Sequence, residues 1–174
     1  MHPALEAYVI HVTRFNRALG QVLMWGVYVM LAVLLWSAVS RNLLNAPLVW
    51  SVETLQFMLA GYYILGGPWA MQQGAHVRMD LIYGRWSRTG RAFADSITAF
   101  ALIFYLVVLL LGGLSSTQYA LEYGQKNYSS WAPPLAPIKI AMVIGIFLML
   151  LQAVAYLIRD VARLRGHEIG ETLQ

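Results

Sequence analysis

The chain has no cysteine. Disulfides, thiolate metal sites and cysteine nucleophiles are therefore excluded. It is also poor in charge: 11% of its 174 residues are Asp, Glu, Lys or Arg, against about 25% in an average soluble domain. With 59% hydrophobic residues, a soluble fold of this length would lack the polar groups to cover its surface. The composition points to an all-α, polytopic membrane protein. The four histidines, His2, His11, His76 and His167, all fall outside the apolar runs, so no pair is placed to ligate a haem between facing helices. No HExxH, phosphate-binding loop or dinucleotide fingerprint is present, and no hydroxyl nucleophile has a visible base. These absences argue against an enzyme and against any cofactor or metal. The net charge of +4 does not point to nucleic acid, because the basic residues sit between apolar runs, where they act as topology signals. The first residues lack a short basic start, apolar core and small-residue cleavage site, so the first span is expected to be an uncleaved anchor.

Four apolar runs follow one another. Residues 1–17 read as an amphipathic interfacial helix: Leu5, Tyr8, Val9, Val12 and Phe15 recur at three- and four-residue spacing, a face suited to lipid or a partner. The alternative is a polar extension of the first span. Spans are expected at 19–40, 51–73, 93–114 and 138–158, since about 20 residues at 1.5 Å each cross a ~30 Å hydrocarbon core. Gly112, Ser116, Ala120 and Gly124 continue the third helix beyond its most apolar part. Pro133, Pro134 and Pro137 stiffen the turn before the fourth. Nine of the twelve basic residues (Arg14, Arg17, Arg78, Arg85, Arg88, Arg91, Arg159, Arg163, Arg165) fall on the side of the two termini and the middle loop, with Arg41, Lys126 and Lys139 opposite. The positive-inside rule then makes both termini cytoplasmic.

Candidate contact residues gather around the second run. Glu53 lies near its start, in what reads as the first turn, where a carboxylate favours the helix dipole. It is expected on the same side as Lys139, within reach of an ion pair. Pro68 removes an N–H and frees the carbonyl of Ile64. Gly66, Ala70 and Gly74, four apart, form a small-residue stripe on which another helix can approach closely; Ala141 and Gly145 offer a second such face. His76, Arg78 and Asp80 follow as a small polar cluster in the exit loop. No ionisable residue sits at mid-membrane, where a complete transporter would keep one.

These residues resemble a known family. Arg41 after the first span, Trp50 and Glu53 opening the second, and the run from Gly61 to Gly67 before Ala70 carry the likeness. So do the exit stretch from Gly74 to Tyr83 with its His76-x-Arg78-x-Asp80 core, Ser115-Ser116, Glu122, Ser129-Ser130 and Pro134 to Lys139. The chain is similar over roughly 19–163 to the small, DctQ-like membrane subunit of tripartite ATP-independent periplasmic (TRAP) transporters. It departs in having Val52 before a single Glu53 where many members have two acidic residues. The resemblance implies a bacterial inner-membrane complex. A large membrane subunit would carry a sodium-coupled path, a periplasmic binding protein would deliver an organic acid, and this chain would be a non-catalytic scaffold. Arg41, Glu53, Gly66, Ala70, Gly74, His76, Arg78, Asp80 and Lys139 would be subunit-interface or lipid-headgroup contacts. The alternative is a self-contained four-span homodimeric exporter using Glu53, the one candidate for a membrane-embedded carboxylate.

Overall fold

The structure, a computed structural model, describes residues 3–73 and 88–164. Among them are four helices: α1 (Pro3–Leu43), α2 (Val49–Gln72), α3 (Arg88–Glu122) and α4 (Ala136–Leu164). The only sheet-like feature among the described residues is an isolated bridge between Lys126 and Pro134. The helices run up, down, up, down. α1 and α2 are antiparallel, with Ser37 beside Ser51 at one end and Gly20 against Trp69 towards the other. α3 and α4 are antiparallel too, with Leu106 by Ile146 and Ser116 by Lys139. α4 is the central element, packing on all three others, whereas α3 packs chiefly on α4.

α1 corrects one expectation. Residues 1–17 were expected to form a separate interfacial helix, yet α1 is unbroken over 41 residues, about 60 Å at 1.5 Å per residue. Nothing between Arg17 and Leu19 interrupts it, since Ala18 is a strong helix former. The segment is the extension of the first apolar run. Its apolar face meets the chain's own α4: Tyr8, Val9 and Val12 pack against Ala155 and Ile158. α1 ends in a closed turn. Asn45 takes a left-handed conformation (φ 48°), which its short polar side chain tolerates. Ser40 Oγ donates to the Ala46 carbonyl at 2.6 Å and Ala46 N–H returns to the Ser40 carbonyl at 3.1 Å.

The molecule is apolar outside and carries polar side chains among the apolar ones within. Val22, Trp25, Tyr28, Phe100, Phe104 and Leu111 are all more than 60% exposed. The buried set includes Thr13, Asn16, Ser40, Ser51, Thr117 and Gln152, and among the described residues no charged side chain is buried. Lipid supplies this outer face with the apolar contact that water cannot, while interior polar groups must find partners within the bundle. α1, α3 and α4 are long and apolar enough to cross a membrane. α2, with 24 residues, is long enough but less apolar, because Glu53, Gln56, Tyr62, Tyr63, Trp69 and Gln72 dilute its run.

Close helix approach depends on three glycines. A Cβ at Gly20 would overlap the Trp69 indole, and one at Gly67 would lie 2.7 Å from Met149 Sδ. One at Gly145 would lie 2.9 Å from the Ile64 carbonyl oxygen. Pro68, buried within α2, has no N–H to offer that carbonyl. The backbone of α4 therefore comes closest where α2 carries its freed carbonyl, as expected of the Gly145 face. Gly66 behaves differently: nothing lies within 4 Å of a Cβ built there, so Gly66 itself makes no close contact among the described residues. Gly145→Ala should destabilise the fold by about 1–3 kcal/mol through overpacking, read as a lower thermal midpoint in detergent. Gly26→Ala, where a Cβ meets nothing within 4 Å, should leave that midpoint unchanged or slightly raised.

Candidate functional site

At one end of the bundle the segment between α3 and α4 is a built loop. Gly124, at φ 56°, ends α3 in the left-handed conformation that glycine adopts without a Cβ penalty. Gln125 N–H then returns to the Ala120 carbonyl at 3.0 Å, closing a Schellman-type cap. The chain doubles back through Asn127 N–H to the Pro133 carbonyl and Leu135 N–H to the Gln125 carbonyl, both at 2.9 Å. Ser129 Oγ accepts Ala132 N–H at 3.0 Å. Lys139, in the first turn of α4, locks the loop from below: its Nζ donates to the Ser116 carbonyl at 3.2 Å and to Gln125 Oε1 at 2.7 Å. A cation at a helix N-terminus opposes the dipole; these two acceptors on and beyond α3 offset that cost. The loop thus presents Tyr128, Ser130 and Trp131 outward on a fixed backbone.

The same end decides the fate of Glu53. α2 starts at Val49, so Glu53 lies in the second turn, and the N-cap Leu48 has no side-chain cap. The first-turn, dipole-capping position expected for it is therefore corrected: the helix begins two residues earlier than the apolar pattern suggested. The Glu53–Lys139 ion pair does not form among the described residues, because Lys139 is committed to Ser116 and Gln125. Glu53 is half-buried, and its Oε2 is buried without a hydrogen-bond partner. Arg41 is exposed in the last turn of α1, where a cation suits the helix C-terminus. Ala70 is half-buried. Gly74, His76, Arg78 and Asp80 lie outside the described residues.

The opposite end holds a polar knot that the sequence reading passed over. Asn16 Nδ2 donates to Gln152 Oε1 at 2.9 Å, and Gln72 Nε2 donates to the same oxygen and to the Thr13 carbonyl, each at 3.0 Å. Asn16 and Gln152 are each 1% exposed. One amide from each of α1, α2 and α4 meets there, and two tyrosines reinforce the contact. Tyr8 Oη donates to the Leu151 carbonyl at 3.1 Å, and Tyr156 Oη to the Met71 carbonyl at 2.7 Å, one of the last carbonyls of α2. Arg159 lies 6.0 Å over the Tyr156 ring. Gln152 was the available signal, being the one amide in the fourth apolar run; an amide in such a run needs a partner on a neighbouring helix. Among the described residues no group of three His, Cys, Asp or Glu could hold a metal ion.

A sequence profile of one family, described as tripartite ATP-independent periplasmic transporters, DctQ component, matches residues 14–163. The chain belongs to that family. No curated protein matches it. The match takes in both sides of the polar knot, the whole of α2 and α3, and the Lys139-locked loop. As a DctQ component the chain is the small membrane subunit of a TRAP transporter and works within a heteromeric complex. Its two tied ends hold the helices that such a complex would meet as a fixed unit.

Gln152→Leu removes the acceptor of the buried Asn16 donor and of the half-buried Gln72 donor. It should cost about 1–3 kcal/mol, measured by unfolding in mixed micelles, which exceeds the ~0.6 kcal/mol of an average interhelical hydrogen bond in a membrane protein. Lys139→Met should leave the helices folded but raise hydrogen exchange at Asn127 and Leu135 by about tenfold, the equivalent of ~1.4 kcal/mol of loop opening.

Proposed function

We propose that this DctQ component is the non-catalytic scaffold of a sodium-coupled, binding-protein-dependent transporter for organic acids in the bacterial inner membrane. It packs against the large membrane subunit, which carries the transport path, while a periplasmic protein delivers substrate. α2 is its fourth span. The termini and the loop between α2 and α3 face the cytoplasm, and the Lys139-locked loop faces the periplasm. The basic-residue bias of nine against three supports this orientation.

One observation carries the scaffold reading. Among the described residues no charged side chain is fully buried, the half-buried Glu53 sits near the end of α2 and not at its middle, and the buried amides of Asn16 and Gln152 are tied to each other. A chain that moved ions or anions by itself would need ionisable groups facing an internal path. The rigid loop with outward Tyr128 and Trp131 suits contact with a soluble partner. Purified alone and reconstituted in liposomes, the chain should take up no organic acid under a sodium gradient. Reconstituted with the large subunit and binding protein of its own transporter, it should support sodium-dependent uptake, and omitting it should abolish that uptake. Uptake by the chain alone would overturn the reading.

A further inference from the structure

The outward face of α2 is unlike the outward faces of the other helices. Val52, Gln56, Leu59, Tyr63, Gly66 and Ala70 follow one another at three- and four-residue steps, which places them on one side of a helix. Val52, Leu59 and Tyr63 are 60%, 46% and 69% exposed. Gln56 is exposed and makes no hydrogen bond to any described residue. α4 covers the flank with Ile64 and Gly67, and α1 covers the flank with Trp69, so this stripe is what the described residues leave exposed from Val52 to Tyr63 and half-exposed at Gly66 and Ala70.

Depth makes Gln56 informative. Six residues separate it from Trp50, an aromatic suited to headgroup level, so its amide sits about 9 Å further in. An amide facing hydrocarbon without a partner is costly. The corresponding exposed stretches elsewhere carry no amide: on α3 from Phe100 to Leu114, on α4 at Ile140, Ile144 and Phe147, and on α1 from Val22 to Val39. α1 has two exposed amides outside that stretch: Gln21, towards the end that holds the polar knot, and Asn42, in the last turn of the helix. The groove of about 300 Å³ between α3 and α4, lined by Tyr105, Val108, Gly112 and Met142, is apolar and suits a lipid chain.

We propose that this α2 face receives a transmembrane helix of the large subunit, which approaches most closely at Gly66 and Ala70 and hydrogen-bonds Gln56 inside the membrane. The assignment rests on the scaffold reading above. Gly66 supplies the room, because a Cβ there meets nothing within 4 Å among the described residues, and small residues let helix backbones come together.

The test uses the full chain co-expressed with the large subunit and binding protein of its transporter. A photo-crosslinking residue is placed at 59 or 63 on α2, at 104 on α3, or at 144 on α4. Positions 59 and 63 should crosslink to the large subunit at least tenfold more than 104 or 144. Gly66→Leu should lower co-purification of the large subunit at least tenfold in mild detergent and leave the isolated chain's thermal midpoint unchanged. Gly112→Leu, equally open within the chain, should leave co-purification unchanged. Gln56→Leu should weaken co-purification, and Gln56→Asn should restore part of it. Crosslinks confined to 104 or 144, or to lipid or a second copy of the chain from 59 and 63, would overturn the assignment of this face. If the complex still co-purified, the scaffold reading would survive that result. If the large subunit failed to co-purify with the unaltered chain, the scaffold reading would fall as well.

Discussion

The bundle turns on the contact between α2 and α4 at Ile64 and Gly145. Pro68 strips the Ile64 carbonyl of its helical donor, and Gly145 brings the backbone of α4 to that place. Lipid offers no hydrophobic reward for burying leucine against leucine. Helices in a membrane therefore hold together by close backbone packing and by polar groups that find each other. Both devices lie on this seam. The glycine contact is at its middle, and the Asn16–Gln72–Gln152 amides are a few turns further on.

From this seam the roles of the other helices follow. α1 joins α2 and α4 along its N-terminal and inner positions, while the residues of its most apolar stretch remain unburied. α3 rests mainly on α4 and carries the support for the Lys139-locked loop. The result is a bundle with a large apolar outer area and cross-helix hydrogen bonds inside it. Such a body suits a subunit that stiffens and broadens a larger neighbour. Because α2 sits between α1 and α4, one stripe of it reaches the surface, and that stripe carries the exposed amide of Gln56.

Much of this was legible in the chain. Low charge and four apolar runs specify a helical membrane protein, because only satisfied backbones cross hydrocarbon. The prolines at 133, 134 and 137 marked a stiff turn, and Gly145 marked a close contact. The motifs around Trp50–Glu53, His76–Asp80 and Pro134–Lys139 identified the family. Other features were not legible, and each for a definite reason. The N-terminal amphipathic stretch looked like an interfacial helix because a moment shows that a face is apolar, not what covers it; α4 covers it. A Glu53–Lys139 pair was open because both were expected on the same side, yet Lys139 bonds the Ser116 carbonyl and Gln125 instead.

The sequence by itself determined the class of solvent, the all-helical architecture and the family, because these depend on composition, run length and local motifs. Only the tertiary structure decided which glycines make contacts and which stay open. Gly20, Gly67 and Gly145 are filled by neighbours, whereas Gly66 and Gly112 face outward. It also decided that Asn16, Gln72 and Gln152 form one knot. Those outcomes depend on how three helices are rotated against each other, and rotation is set by side chains far apart in the chain.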